Sequence, residues 1–531
     1  MGSIYKEPQN RKQALLFPPS LDEYVDEDNP VRVIDAYVDM LDMVALGFTK
    51  ANLHVEDGQP AYHPKLLLKI YIYGYLNKIR SSRRLEAEIR RNVEMMWLCA
   101  GLHPGYKTIA NFRKENSAPL KKVFREFALL IKNLNLITGE VVAVDGAYFR
   151  ANASKNQLLK KKTIEKDLNA LDAKIDAYLA QMQFADADEK QEKSLKPPVT
   201  DLATMQTIKK RLDDDLAFLE ANHLSQYNRT DPDARLMVKP AHNLMAFNVQ
   251  ITVDSTWKFV VATEVSSQGN DRNKLHTMAL QTREIVANDA MVFVGDTGYY
   301  NAQEIARCVQ DKVNVVVSVP KAKKSQKEKG FYLQSDFTYE AQEDCYLCPH
   351  QQKLTRSPSV VTRGNGTRYF AYRASSAVCK ACPIRDNCIP KKTAYKSIMR
   401  SEYADTITRH KEKMQTPVAK RLIRQRGAIA EHPFGTTKQH LGWSHFLVRG
   451  LEKVGGENAL IMFAYNFRRL LNLIGTRLFH KLVQAIPTGD IEAIRQEIAE
   501  YLADLADFML YFAIIWLLGG ERAILRRENV A

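Results

Sequence analysis

The sequence predicts a mixed α/β protein in which a helical N-terminal region is followed by an α/β domain that carries two insertions. Three observations predict it. Apolar residues recur at helical spacing through residues 1–138, β-type apolar runs begin at Val141, and a Cys-rich stretch interrupts the pattern at 321–395. Because the chain has 531 residues and a single core rarely grows beyond about 300, two or more domains are expected.

Composition excludes a largely disordered, collagen-like or low-complexity chain, because hydrophobic residues make up 45% and charged residues 26%. Lys and Arg number 76 against 61 Asp and Glu, so the formal net charge is +15. An excess of this size suggests a polyanionic partner such as nucleic acid.

Residues 1–138 are expected to form short helices with tight breaks, which is typical of a helix-turn-helix-like DNA-binding domain. Helical apolar spacing is found at 31–46, 65–78, 83–96, 109–115 and 118–133. The segment 61–125 holds fourteen Lys and Arg against four Glu, so this domain carries much of the basic excess.

The domain predicted for 139–480 begins with a strand at 141–144. Further strands are expected at 245–253, 258–265, 290–294 and 313–319, and helices at 274–287 and 301–312. A helical hairpin is expected within the insertion 155–230, where it either packs only on itself or contributes to an oligomer. Helical sequence is predicted to resume at Ile398 and continue to Leu478, and a helical C-terminal tail of unknown role covers 481–531.

The first residues of the chain are polar and show no signal peptide. The longest apolar run, 508–520, is shorter than the roughly 20 residues that a membrane span needs. We therefore expect no membrane association and a cytoplasmic protein.

Three acidic residues interrupt this basic chain at places that suit catalysis. Asp145 and Asp296 each end an apolar strand pattern, and strand ends are where sites gather in α/β folds. Glu431 lies in a very basic helix. Two divalent ions held by carboxylates can stabilise the attacking and leaving oxygens in phosphodiester cleavage. Equally, the two Asp could be turn residues and Glu431 the partner of a surface ion pair.

These residues lie in motifs that resemble the catalytic signatures of bacterial insertion-sequence DDE transposases. The motifs are VVAVDGAYFRAN at 141–152, VGDTGYY at 294–300 and EHPFGTTK at 431–438. The N-terminal part resembles that family's helical N-terminal domain in YHP at 62–64, RRLE at 83–86 and KTIANFR at 107–113, and the likeness continues from 449 to 466. It covers about residues 15–478.

The resemblance implies a ribonuclease-H-like catalytic domain with Asp145, Asp296 and Glu431 as the catalytic, metal-binding triad. The implied cofactor is Mg²⁺ or Mn²⁺, as two ions. The basic residues implied in DNA binding are Lys107, Arg113, Arg424, Arg426 and Lys438. The family often has a Tyr three positions before an Arg of the Glu-bearing helix. In this chain Ile423 stands at that position before Arg426, so no role of that Tyr carries over.

Five Cys cluster in the second insertion, with CxxC spacing that favours metal over disulfides in a chain without a secretion signal. Cys348, Cys379, Cys382 and Cys388 are the set that resembles the family's insertion, with Cys345 as an alternative ligand. A structural Zn²⁺ would hold together a subdomain that lacks a core of its own. The other interpretation is free thiols in a loop or an eroded site.

The predicted function is that of a transposase that binds terminal inverted repeats, cuts the element ends and joins them to target DNA. Double-stranded DNA is the expected partner, with nucleoid association when bound, and joining two ends makes a homodimer the expected assembly. Two alternatives stay open: a domesticated, non-catalytic DNA-binding protein, and a metal-dependent nuclease without strand transfer.

Overall fold

The computed structural model describes residues 20–52, 60–187, 202–238, 243–321, 330–505 and 507. The apolar run at 508–520 lies outside these residues. No helix in the described ranges combines the length and the apolar character that crossing a membrane requires.

The N-terminal region consists of short helices. They are α1 Pro30–Met40, α2 Met43–Leu46, α3 Pro64–Leu76, α4 Ser82–Arg91, α5 Val93–Leu98, α6 Tyr106–Glu115 and α7 Ser117–Asn133.

Two stretches that were expected to be single helices are each two helices. Asp42 accepts hydrogen bonds from the backbone N–H groups of Val44 and Ala45, and thereby starts α2 anew. Asn92 caps α5 in the same way through the N–H groups of Glu94 and Met95. A short polar side chain at an N-cap therefore ended each helix although the apolar spacing continued.

The central sheet has six strands. They are β1 Val141–Arg150, β4 Arg235–Val238, β5 Asn243–Asp254, β6 Val260–Ser266, β7 Val292–Gly295 and β8 Asn314–Val317, with β2 Leu158–Lys160 and β3 Gln226–Asn228 forming a separate pair. The order is β4-β5-β1-β7-β8, and β6 also pairs with β5. β5 runs antiparallel to β1, whereas β7 and β8 run parallel to it, as expected for a ribonuclease-H-like sheet.

Helices cover both faces of this sheet. They are α10 Leu275–Val286 and α11 Ala302–Gln310 on one side and α14 Pro417–Gly435 on the other. Alternation along the strands directs Phe293 and Val315 into the main core, while Val294 and Val316 pack against Leu422 of α14. The parallel strands are therefore buried on both faces.

The first insertion contains α8 Lys161–Ala187 and α9 Leu202–Ala221, which pack against each other. Ile164, Leu168 and Leu219 form a small core between them, and Tyr227 of β3 closes it. The part of the chain between the two helices, 188–201, lies outside the described residues.

The Cys-rich insertion is a five-stranded antiparallel sheet. Its strands are β9 Thr338–Glu340, β10 Cys345–Leu347, β11 Lys353–Thr362, β12 Arg368–Arg373 and β13 Ser397–Ser401, with helix α12 Ser376–Lys380 between the last two. Two expectations were wrong here. Ile398 begins no helix, because it lies in β13, and the subdomain has its own core of Tyr346, Leu354 and Tyr372.

The C-terminal helices tie the N-terminal region to the sheet. α13 Ala404–Lys413 and α14 are followed by α15 Leu451–Ala485, which breaks at Gly475, where φ is +75°. Residues 491–505 are also helical. Phe463 and Phe467 of α15 pack on Tyr37 of α1 and Phe127 of α7. One continuous core therefore contains α1, α7, α15 and the central sheet.

A buried charge network joins the same parts of the chain. The Arg113 guanidinium lies 3.5 Å from the Glu457 carboxylate, and their side chains are 7% and 0% exposed. Tyr75 donates to one oxygen of Glu457, and the N–H groups of Leu447 and Val448 donate to the other. Every oxygen of this buried carboxylate is thereby satisfied.

We predict that Glu457→Ala lowers the free energy of unfolding by about 3–5 kcal/mol, because it leaves the Arg113 charge buried without a partner. Denaturant unfolding followed by circular dichroism measures this change. Glu492→Ala is the control, since Glu492 pairs with Arg495 on the surface, where its side chain is 84% exposed. A loss no larger than that of the control would contradict the prediction.

Candidate active site

The pairing of two parallel strands brings Asp145 and Asp296 side by side. The last register pair of β1 and β7 is Ala143 with Val294. Continuing that register by two residues pairs Asp145 with Asp296. Asp145 does not end its strand as expected, because β1 goes on to Arg150 along β5. It lies instead at the point where β1 extends past its parallel neighbour.

Glu431 approaches from α14. This helix starts at Pro417, with the Thr416 side chain accepting from the N–H of Ala419. After Gly435 it continues as one turn of π-helix, Thr436–His440. π-Helical turns are frequent at functional sites. The Glu431 side chain is exposed, whereas that of Asp145 is 17% exposed.

Arg426 links the two acids. Its guanidinium lies 3.5 Å from Asp145 and 3.6 Å from Glu431, and its side chain is 15% exposed. Nη1 of Arg426 is buried and has no hydrogen-bond partner among the described residues. The carboxylates are therefore held by charge at distances too long for good hydrogen bonds.

The pKa of Asp145 reflects both other acids. It is raised to about 6, chiefly by burial; Arg426 and the Gly146 N–H lower it, and the negative charges of Asp296 and Glu431 add smaller increases. These neighbouring negative charges oppose ionisation of Asp145, and a cation placed among them would favour it.

A fourth carboxylate, Asp271, lies beside the predicted triad and was not predicted. A Cβ added to Gly146 would meet Asp271 Oδ1 at 2.6 Å. A Cβ added to Gly298 would meet Asp271 Oδ2 at 3.4 Å and Asp296 Oδ1 at 2.9 Å. Asp271 stands in the loop after β6, away from any strand end, so no sequence signal marked it.

Hydrogen bonds fix Asp271 in this place. Asn248 and Gln250 of β5 donate to its Oδ1 at 2.8 and 2.6 Å. The Oε1 of Gln250 accepts from the hydroxyl of Tyr299, which follows Asp296 by three residues. The same network thus supports Asp271 and the turn that carries Asp296.

The basic residues implied in DNA binding do not share one surface. Lys107 and Arg424 are exposed. Arg426 lies inside the acidic site, and Lys438 is half-buried, with its ammonium group donating to the carbonyl of Tyr148 at 3.1 Å. Arg113 is buried against Glu457, so its charge belongs to the core and cannot reach a DNA surface.

Four of the five clustered thiols lie in one part of the Cys-rich subdomain. Cys348, Cys379 and Cys388 pack against its core. Burial raises the pKa of Cys388, and Cys379, Cys348 and Cys382 act on it in the same direction. Cys345 is buried on β10, and its thiol contacts Glu343.

Within the described ranges, no group of three or more His, Cys, Asp or Glu side chains is arranged to hold a metal ion as the side chains stand. The donor types nevertheless fit. Carboxylates that need a cation between them suit Mg²⁺ or Mn²⁺, and four thiols suit Zn²⁺. In this structure the positive charge beside Asp145 and Glu431 is the guanidinium of Arg426.

Comparison with known proteins identifies two parts of the chain. A model of a transposase domain, DUF772, matches residues 19–115, and a model of a transposase DDE domain matches residues 318–471. No curated protein matches the chain.

A solved structure, the cryo-EM structure of the piggyBac transposase synaptic complex with hairpin DNA, is similar over 90% of this chain and 84% of that chain. The sequence identity is 9% and the TM-score is 0.31.

The two matching models describe the helical N-terminal region and the part of the chain that carries Glu431. The ribonuclease-H-like sheet that brings Asp145 and Asp296 together lies between them. Both models are of transposase domains, so the comparisons support a transposase.

Proposed function

We propose that this transposase binds the terminal inverted repeats of its element, cuts the DNA there and joins the ends to target DNA with divalent metal ions. The observation that carries the proposal is the closeness of Asp296 and Glu431 to Asp145, with Arg426 beside Asp145 and Glu431. Gathering acids around a partly buried carboxylate costs stability, and a catalytic role would account for that cost.

Asp145, Asp296 and Glu431 would hold the ions as oxygen ligands. Bound Mg²⁺ or Mn²⁺ supplies stabilisation of charge on the attacking and leaving oxygens. Arg426 balances Asp145 and Glu431 before DNA binds, and its guanidinium then becomes available to a DNA phosphate. Asp271 keeps Gln250 and Tyr299 in place beside Asp296.

The DNA is held by positive charge around the acids. Lys107 and Arg424 are exposed and free of acidic partners among the described ion pairs, so they contact phosphates. Joining two DNA ends requires two copies of the site. We therefore propose that two copies of this chain form a homodimer when the ends are joined.

A nuclease without strand transfer would use the same acids. The two functions differ in what attacks the phosphodiester, water or a DNA 3′-hydroxyl. A pre-cut element end incubated with a supercoiled target distinguishes them, because only a transposase joins the two DNA molecules.

We predict that Asp145→Asn, Asp296→Asn and Glu431→Gln each reduce Mg²⁺-dependent cleavage of an element end by more than about 100-fold, because even residues behind metal ligands commonly contribute 10–100-fold. Duplex binding should stay within about threefold of wild type, since these side chains repel phosphate. Gel-based cleavage and a binding titration measure the two effects.

Glu412→Gln is the matched control, because Glu412 is an exposed Glu on the neighbouring helix α13. Cleavage at the wild-type rate by any of the three variants would remove that residue from the proposed triad.

Gly146→Ala tests the close packing next to Asp145. The added Cβ would lie 2.5 Å from Gln250 Nε2 and 2.6 Å from Asp271 Oδ1, so both side chains must move. We expect cleavage to fall by about 10–100-fold, the cost of a small misplacement of catalytic groups. Gly364→Ala is the control, since its Cβ would meet nothing within 4 Å. Equal rates for the two variants would show that this network does not position the site.

We also propose that Cys348, Cys379, Cys382 and Cys388 hold a structural Zn²⁺. The packing of Cys348, Cys379 and Cys388 against one small core, with the effect of Cys382 on Cys388, supports the proposal. Metal analysis of purified protein should find one Zn²⁺ per chain, lost in Cys382→Ser and kept in Cys345→Ser. Wild-type protein without stoichiometric Zn²⁺, or loss in both variants, would contradict this ligand set.

A further inference from the structure

A basic cavity of about 330 Å³ lies beside the helix that carries Glu431. Its wall combines three parts of the chain: Lys78 after α3, His432 and His440 around the end of α14, and Arg468 and Arg469 of α15. Among the described residues that line it there is no Asp or Glu. The cavity therefore lies where the N-terminal helices, the catalytic helix and α15 meet.

The positive charge of this cavity meets no acidic side chain among the described residues that line it. The pKa of nearby Lys258 is lowered by burial and by the charge of Arg469, while Asp254 acts in the opposite direction. Basic groups that oppose each other's protonation gain free energy when an anion joins them.

The two guanidinium groups are anchored by the backbone. Arg468 Nη2 donates to the carbonyl of Leu76 at 2.6 Å, and Arg469 Nε donates to the carbonyl of Trp257. A guanidinium has five N–H donors, so these bonds leave donors for a ligand. Anchoring also lowers the conformational entropy that a ligand would have to remove.

Tyr465 holds two of the basic groups together. Its hydroxyl donates to the carbonyl of Lys258 at 2.8 Å, so it must accept from Nδ1 of His432, which lies 2.9 Å away. The Arg469 side chain lies close enough to act on the pKa of the same hydroxyl, which burial raises and Arg469 lowers. A neutral residue thus keeps His432 and Arg469 close although both are basic.

We propose that this basic cavity binds a backbone phosphate of the DNA on which the transposase acts. Phosphate oxygens accept hydrogen bonds from guanidinium and ammonium groups, and a single phosphate would neutralise charge from all three walls. The inference rests on the proposed function, since it requires DNA to be the partner.

Such a contact would set the position of DNA relative to the acids. His432 directly follows Glu431 in α14, and Lys78 ends the turn after α3. A phosphate held between them would connect the N-terminal helices and the catalytic helix to the same DNA strand. The contact would be independent of base sequence.

The test measures binding of a fluorescent duplex of arbitrary sequence at salt concentrations between about 50 and 200 mM. The variant is Lys78→Gln/His440→Gln, which changes two exposed side chains and leaves both anchored guanidinium groups in place. Lys312→Gln is the matched control, because Lys312 and Lys78 are both exposed Lys residues with positive φ, +57° and +62°.

We expect the double variant to reduce the slope of log affinity against log salt by about 1, the effect of one lost phosphate contact, while the control keeps the wild-type slope. Arg469→Gln should weaken binding similarly, and Arg469→Lys should restore part of it. Thermal unfolding of each variant confirms that the fold is retained.

If the double variant and Arg469→Gln both kept the wild-type slope of log affinity against log salt, the inference would be overturned, while the proposed function would stand. Failure of the wild-type protein to bind any duplex would overturn both. Thermal stabilisation of wild type by inorganic phosphate, with DNA binding unchanged in the variants, would assign the cavity to free phosphate and also overturn the inference.

Discussion

The candidate active site depends on one electrostatic constraint: acids that gather around the partly buried Asp145 need a cation among them. Arg426 meets that need for Asp145 and Glu431. Its contacts with the two carboxylates are long, and one of its nitrogens has no hydrogen-bond partner in the described part of the chain. Arg426 therefore stabilises the carboxylates by its charge more than by hydrogen bonds. Asp145 and Glu431 could hold a divalent ion in place of the guanidinium, and that ion would supply a higher charge at shorter range.

The backbone features that create this constraint could largely be predicted from the sequence. Short apolar runs that stop at Asp145 and Asp296 indicated strands with acids next to each other, and the parallel pairing of β1 and β7 brings them together. Glu431 stood out because it interrupts a basic helix. These signals are local, since each depends on a residue and its immediate neighbours along the chain.

What could not be predicted depends on contacts between distant parts of the chain. Arg113 looked like a DNA contact, but Glu457, 344 residues later, pairs with it in the core. Asp271 lies in a loop whose place is decided by hydrogen bonds from Asn248 and Gln250. The core of the Cys-rich insertion was not expected, because Tyr346, Leu354 and Tyr372 come from three different strands and meet only when these strands pair.

The excess of basic residues is divided between tasks. Some of it stabilises the fold, some balances the acids, and some lines surfaces that suit phosphate.

The most direct test of the central claim is metal binding at the acids, measured by Mn²⁺ electron paramagnetic resonance on wild-type protein beside Asp145→Asn. The account predicts saturable Mn²⁺ binding to wild type that the substitution weakens by more than about 10-fold. Equal binding to the two proteins, or none to wild type, would contradict it.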